Sequence, residues 1–359
     1  MKKNRVISIV LGDPIIDSRV KKTADSLNKF GYEVLIIGLK KNNLEQAKNT
    51  IVFDLRSIKL NAFKYIYFLI NVLKIVKKND ILHCNDLNEC TIGVLVKYFK
   101  KDIKIVYDSH EFQLEKSFKI SRFKKIILKK IESICIKNSS ATITVSNSIS
   151  KSYKKLYGVE PKVIFNMPSR LPSTKSSVVN LRDFFKIDEE SLIFIHHGIF
   201  PYHSRGIELM LEAFMSLSDK YCLLFIGGGE MSQQIIEHSN KTNNIFYHEF
   251  LEYEKLLDFI NQSDYGLILN RPGKLNHEFC MPNKLFDYAA CGKKIISNNL
   301  TEISSFINEN EAGYIINDYS AEALKKCIIS LKGKEEIQFV KDFTWENQEH
   351  ILKSIYEEI

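Results

Sequence analysis

The stretch that decides the fold is Met281-Pro282-Asn283-Lys284-Leu285-Phe286-Asp287-Tyr288-Ala289-Ala290-Cys291-Gly292-Lys293-Lys294-Ile295-Ile296. It reads as a helix running into a buried strand. Pro282 suits the first helical turn, where a missing N–H costs nothing. Leu285, Phe286 and Ala289 recur at spacings of three and four and share one face. Gly292 supplies the left-handed stop, and Ile295-Ile296 begin an apolar strand. The first backbone N–H groups of such a helix lack internal partners and carry partial positive charge, so a phosphate or sugar hydroxyl can dock there. Lys284 adds a full charge in the first turn, where it is electrostatically misplaced unless an anion compensates. Asp287, one turn on, can accept from a ribose diol. An ordinary surface helix of an α/β domain explains the same residues equally well.

Upstream of this segment, strands and helices alternate. Leu192–His196, Tyr221–Ile226, Ile245–His248 and Tyr265–Leu269 read as strands, and Ser204-Arg205-Gly206 leads into a helix over Ile207–Phe214. The first half repeats the pattern. Arg5–Val10 is a strand, Asp17-Ser18-Arg19 opens a helix that Gly31 ends, and Tyr32–Ile37 is the next strand. Ile58–Lys78 and Leu87–Phe99 read as helices, with Asp80–His83, Ile103–Tyr107 and Ala141–Val145 as strands. Such β-α-β units imply parallel sheets, with ligands beyond the carboxyl ends of the strands. That places Gly12 at the expected ligand position. A dinucleotide fingerprint would need Gly-x-Gly-x-x-Gly there, and it is missing, which disfavours a nicotinamide dehydrogenase.

A chain of 359 residues accommodates two ordinary domains. No signal-like stretch opens it, and no apolar run is long enough for a membrane span. Seven scattered cysteines without a Cys-x-x-Cys pair read as reduced thiols of a cytoplasmic protein. The net charge of +8 hides an asymmetry: residues 1–175 hold 34 Lys+Arg against 15 Asp+Glu, and residues 176–359 hold 17 against 28. One half is therefore expected to meet an anionic surface. No nucleic-acid motif is visible, and Lys116–Lys137 interleaves bases with Phe118, Ile120, Phe123, Ile126, Ile127, Ile131 and Ile134. That pattern fits an anionic lipid interface, and a packed helix with a solvated basic face fits it equally. His196, His197 and His203 lie close in sequence without a zinc-ligand spacing.

Pro282–Gly292 resembles the donor-site segment of family 4 glycosyltransferases, and Tyr107-Asp108-Ser109-His110-Glu111 is similar to the family's acceptor-facing His-Glu group. The resemblance implies the α/β GT-B fold: two Rossmann-like domains with parallel sheets facing a central cleft. The first domain is expected over residues 1–168, joined by a C-terminal helix at about 343–359. The nucleotide-sugar domain is expected over 169–342. The resemblance further implies retaining transfer from a nucleotide-diphosphate sugar to a lipid-linked saccharide, in bacterial surface polysaccharide synthesis at the inner face of the membrane. Donor contacts would come from Gly12, Arg205, Leu251, Asn283, Lys284 and Asp287. His110 would face the acceptor or the sugar, with Arg19, Asp108 and Glu111 on the acceptor side. The family's two glutamates eight positions apart fall on Phe279 and Asp287, so Glu278 is the stand-in for the first. The first of the two loop cations falls on Ile199, leaving Arg205. With no Asp-x-Asp pair, neither metal nor cofactor is expected, and nucleic acid is not an expected partner. A nucleotide-sugar 2-epimerase of the same fold and a non-catalytic binding subunit are the alternatives.

Overall fold

The computed structural model describes residues 4–40, 49–56, 60–115, 121–169, 179–335 and 343–359. The chain divides into two compact units, Met1–Phe165 with Gln348–Ile359, and Asn166–Asn347.

In the first unit β1 (Arg5–Ile9) feeds α1 (Ser18–Lys29), whose start is fixed by the Asp17 carboxylate accepting from the backbone N–H of Arg19 and Val20. There follow β2 (Glu33–Leu39), β3 (Thr50–Phe53), α2 (Asn61–Ile75), β4 (Ile81–Asn85), α3 (Leu87–Phe99), β5 (Lys104–Ser109), α4 (Arg122–Asn138), β6 (Ala141–Thr144), α5 (Asn147–Tyr157) and β7 (Lys162–Val163). All pairings are parallel, in the order β3-β2-β1-β4-β5-β6-β7. The order reverses between β1 and β4, the point where such sheets hold ligands. Val6, Ile7 and Ile9 are wholly buried, as a strand covered on both faces requires.

The second unit runs α6 (Leu181–Phe185), β8 (Leu192–Ile199), α7 (Ile207–Met215), β9 (Tyr221–Gly228), α8 (Ser232–Ser239), β10 (Ile245–His248), α9 (Tyr253–Gln262), β11 (Tyr265–Ile268), α10 (Leu275–Glu278), α11 (Asn283–Ala290), β12 (Lys294–Asn298), α12 (Thr301–Glu309), β13 (Gly313–Ile316) and α13 (Ala321–Ser330). Its sheet is parallel in the order β10-β9-β8-β11-β12-β13, with the reversal between β8 and β11. Phe194, Phe214, Phe225 and Tyr265 anchor its core.

The last helix, α14 (Trp345–Glu358), joins the first unit from Gln348 onward. Tyr356 bonds His83 Nδ1 through its phenol at 2.8 Å, and its carbonyl accepts from Tyr32 at 2.8 Å. Several local expectations shift. Pro282 is the cap just before α11 rather than its first residue, while Gly292 takes the left-handed conformation at φ 70°. β5 extends through Ser109, so Asp108 and Ser109 lie inside the strand. β3, a short edge strand, has no sequence signal as strong as its neighbours. Of the basic stretch Lys116–Lys137, residues 116–120 lie outside the described residues, as do 58 and 59 ahead of α2 and most of the Ser169–Asn180 linker.

Candidate active site

In the second unit the side chains converge at the β8/β11 reversal. Gly198 has φ 112°, and a Cβ there would stand 4.0 Å from Lys284 Nζ. Gly227 must be glycine: a Cβ would fall 1.9 Å from the Gly198 carbonyl oxygen. These residues let the ends of β8 and β9 run close beside the start of α11. Lys284, in the first turn of α11, is only 7% exposed. Its Nζ lies 3.1 Å from His196 Nε2, while His196 Nδ1 lies 2.9 Å from the Leu267 carbonyl. A carbonyl only accepts, so Nδ1 carries the hydrogen and Nε2 accepts from the lysine.

Burial and the neighbouring Arg205 push the Lys284 amine well below its ordinary value, although Asp287 opposes this. Burial and Lys284 itself push His196 well down too, so the imidazole is neutral. Among the described residues no carboxylate oxygen comes within ion-pair reach of Lys284. A buried lysine amine, the Arg205 guanidinium and a helix start without a side-chain cap therefore share one place, with no carboxylate in ion-pair reach of the amine. That is the arrangement of an anion site.

Other expected donor residues are disposed differently. Asp287 is 3% exposed, with Oδ1 accepting from the Tyr253 hydroxyl at 2.6 Å and Oδ2 lying 3.5 Å from His197 Nε2. It sits beneath the surface, not on it. Glu278 is committed elsewhere: its Oε2 accepts from the backbone N–H and hydroxyl of Thr301, both at 3.2 Å, at the start of α12. The carboxylate therefore caps a neighbouring helix in this structure. Asn283 is exposed and accepts from the Asn166 amide at 2.9 Å. Leu251 is half-buried on the loop after β10, and Ile199 is exposed. His203 is exposed and lies 3.0 Å from Glu208, away from the buried His196 and His197. Among the described residues no three His, Cys, Asp or Glu side chains converge to hold a metal.

In the first unit the equivalent strand ends carry a polar cluster. Leu11 N–H donates to Glu89 Oε1 at 2.6 Å, tying the Gly12 turn to the start of α3. Burial lifts the Glu89 carboxyl to about 7, against the hydrogen bond from Leu11. A Cβ on Gly12 would meet only Val10 at an ordinary 3.6 Å, so packing does not require glycine there. Asp86 holds a positive φ of 80°, unusual for a non-glycine, and its Oδ1 accepts from His110 N–H at 2.9 Å and the Gln113 amide at 2.8 Å. His110 Nε2 lies 3.4 Å from Asp108 Oδ2. Burial works against charge on His110, but the Asp108 carboxylate outweighs it and holds the imidazole above its ordinary value. Arg19 and Asp108, expected on the acceptor side, are both buried. They form a buried two-pronged pair at 2.9 and 2.8 Å, and Arg19 also donates to the Ile164 carbonyl. Glu111 is half-buried, and its carbonyl accepts from Ser109 Oγ at 3.0 Å.

Glu89, Asp86 and Tyr253 emerge from the fold alone, and the sequence singled out His196 and His197 only as neighbouring histidines without a ligand spacing. The strained backbone at Asp86, with φ 80° and ψ 176°, is a feature that nothing in the sequence announces.

Two family models match consecutive parts of the chain: Glycosyltransferase Family 4 over residues 17–167 and Glycosyl transferases group 1 over residues 191–333. The chain belongs to the family 4 glycosyltransferases. An uncharacterized glycosyltransferase of Methanocaldococcus jannaschii is 22% identical over 174 residues, 44% of this chain and 43% of that protein, so the match spans under half the length of this curated relative. Among solved structures, sucrose-phosphate synthase of Thermosynechococcus elongatus superposes with a TM-score of 0.73 at 15% identity, covering 99% of each chain. Anabaena HepE in complex with UDP and glucose superposes at 0.77 and 12% identity, covering 99% of this chain and 100% of that one. At those identities the likeness shows the fold, GT-B with two parallel-sheet domains. Both segments that carry the resemblance, Tyr107–Glu111 and Pro282–Gly292, fall inside the matched ranges.

Proposed function

We propose that the protein is a retaining glycosyltransferase moving a sugar from a nucleotide-diphosphate sugar to a lipid-linked saccharide in bacterial surface polysaccharide synthesis. The observation that carries this reading is Lys284: a buried amine at a helix start, beside Arg205 and bonded only to a neutral imidazole. A diphosphate supplies the missing charge. Arg205 suits it through a planar, two-pronged grip on phosphate oxygens. UDP is the first donor nucleotide to test, because HepE, of the same fold, is described in complexes with UDP and with UDP-glucose.

In the proposed step the bond between the sugar's anomeric carbon and the diphosphate oxygen breaks as the acceptor hydroxyl attacks the same face. The hydroxyl proton passes to the departing phosphate oxygen, so configuration is retained without an enzyme nucleophile. The protein's part is to hold the leaving diphosphate. Preorganised donors of this kind are worth about 3–4 kcal/mol each. His110, positioned through Asp86 and Asp108, orients the acceptor or the sugar. The reading involves no metal. The space left at Gly12, which packing does not require, suits the close approach of a ligand. The test is release of UDP from UDP-sugars in the presence of lipid-linked saccharides from bacterial membranes, with the anomeric configuration of the product read by NMR. Turnover with retention, lowered at least about tenfold in both Lys284→Ala and Arg205→Ala, is expected. UDP-sugar interconversion without any acceptor would instead favour the 2-epimerase.

A further inference from the structure

About half of the large apolar side chains exposed among the described residues lie on three successive helices of the first unit. On α2, Phe63, Ile66, Tyr67 and Ile70 are exposed at helical spacings of three, one and three, one outward stripe. On α3, Leu95, Tyr98 and Phe99 repeat the pattern, Tyr98 being 78% exposed. On α4, Phe123, Ile126, Ile127 and Ile134 do the same, Phe123 being 73% exposed. α3 lies between the other two. Tyr65 of α2 bonds the Thr91 hydroxyl of α3, and Lys97 of α3 donates to the Asn138 carbonyl of α4 at 2.7 Å. A soluble helix buries its apolar stripe; these helices bury one and display another.

The exposed charges that the three helices themselves carry are one-signed, although Glu115, just ahead of α4, pairs with Lys125. The three helices carry only two acids, Glu89 and Glu132, and both are buried. Glu132 is enclosed by the phenols of Tyr107, Tyr153 and Tyr157. Their exposed ionic groups are therefore all basic. At 100° per residue the exposed Lys130 and Lys137 fall within the α4 stripe, with Arg122 and Lys129 on one side of it and Lys124 on the other. Lysine and arginine stems can lie along an apolar face while their charged ends reach for phosphate. A protein partner of ordinary composition does not require this combination, apolar stripes on helices whose exposed charges are all basic, whereas a bilayer with anionic headgroups does. No helix among the described residues is long and apolar enough to cross a membrane, so the contact is one of lying on it.

We propose that the α2–α3–α4 face is a docking surface for an anionic lipid bilayer. The inference deepens the lipid side of the proposed transfer but stands on this surface alone. The test is flotation of the full chain with phosphatidylglycerol–phosphatidylcholine vesicles and with pure phosphatidylcholine vesicles. Wild type should float with the anionic vesicles only, and salt should weaken the binding. Phe123→Glu with Ile126→Glu, and separately Ile66→Glu, should weaken binding about tenfold or more. Ile329→Glu, equally exposed in the second unit, should bind like wild type. Because the substituted positions are exposed, melting temperature and UDP binding should stay at wild-type values. This separates failure of the surface from failure of the donor assignment. Equal binding to neutral vesicles, no binding, or variants that float like wild type would overturn the proposal. So would a dimer broken by Phe123→Glu in a chain that ignores vesicles, which would make a second copy the occupant.

Discussion

Replacing Lys284 with methionine separates what the side chain does for folding from what it does for a ligand. Methionine keeps the length and apolar stem and removes the ammonium. In the free protein the amine is buried, pushed down by that burial and by Arg205, and donates to His196 Nε2. Removing it relieves a disfavoured charge and leaves one imidazole acceptor without its donor, a loss of about 1–3 kcal/mol. Burying an unpaired ion costs several kcal/mol, limited here by deprotonation. The two effects oppose, so the ligand-free melting temperature should change little or rise. The sign of the pH dependence is also fixed. A base whose folded value is lowered has lost its proton in the folded state while the unfolded chain keeps it. Stability therefore rises with pH from the folded value towards the ordinary lysine value, and Lys284→Met should remove that slope. Binding should respond very differently. Loss of one charge-assisted contact of about 1.5–3 kcal/mol weakens UDP roughly ten- to 150-fold. Calorimetric titration with UDP and thermal melts of the same variant read both quantities. A large fall in melting temperature with UDP affinity unchanged would show that Lys284 is a structural residue and refute the reasoning.

His110→Ala should lower turnover more than UDP affinity, read by comparing kcat with calorimetric binding; a loss confined to donor affinity would contradict its placement. Glu278→Ala should cost about 1 kcal/mol through the lost bonds to Thr301, a fall of roughly 2–4 °C in melting temperature. Glu89→Gln keeps an oxygen for Leu11 N–H but cannot ionise. A raised carboxyl favours the folded state at low pH, and that contribution is lost as pH rises from about 4.5 through about 7. The variant should therefore melt like wild type at pH 5 and higher at pH 8, by up to about 3 kcal/mol of stability; equal melting at both pH values would contradict the assignment.

The architecture was legible because its signals are local. Apolar strands such as Val6–Ile9 and Leu223–Ile226 are buried on both faces, and caps at Asp17 and Ser146 mark helix starts by their own side chains. The proposed anion site was half legible: Lys284 in a first turn announced an unmatched charge, but its imidazole partner lies 88 residues away, a pairing that only the sheet order creates. The pairing of Arg19 with Asp108 was hidden for the same reason, the two being 89 residues apart. Glu278 looked available because its partner, Thr301, lies 23 residues away beyond the strand that Ile295-Ile296 begin. The outward stripes of α2 and α3 were invisible without knowing which face the sheet covers.

The central claim, a nucleoside diphosphate held at the start of α11, is tested most directly by a thermal-shift panel of UDP, GDP, dTDP, CDP, ADP and NAD. Saturation at a hundredfold excess over Kd stabilises by about 2.7 kcal/mol, several degrees for units of this size. The account predicts a shift with one nucleoside diphosphate, UDP first among them, abolished by Lys284→Met. A shift with NAD alone, or none with any nucleotide, would contradict it.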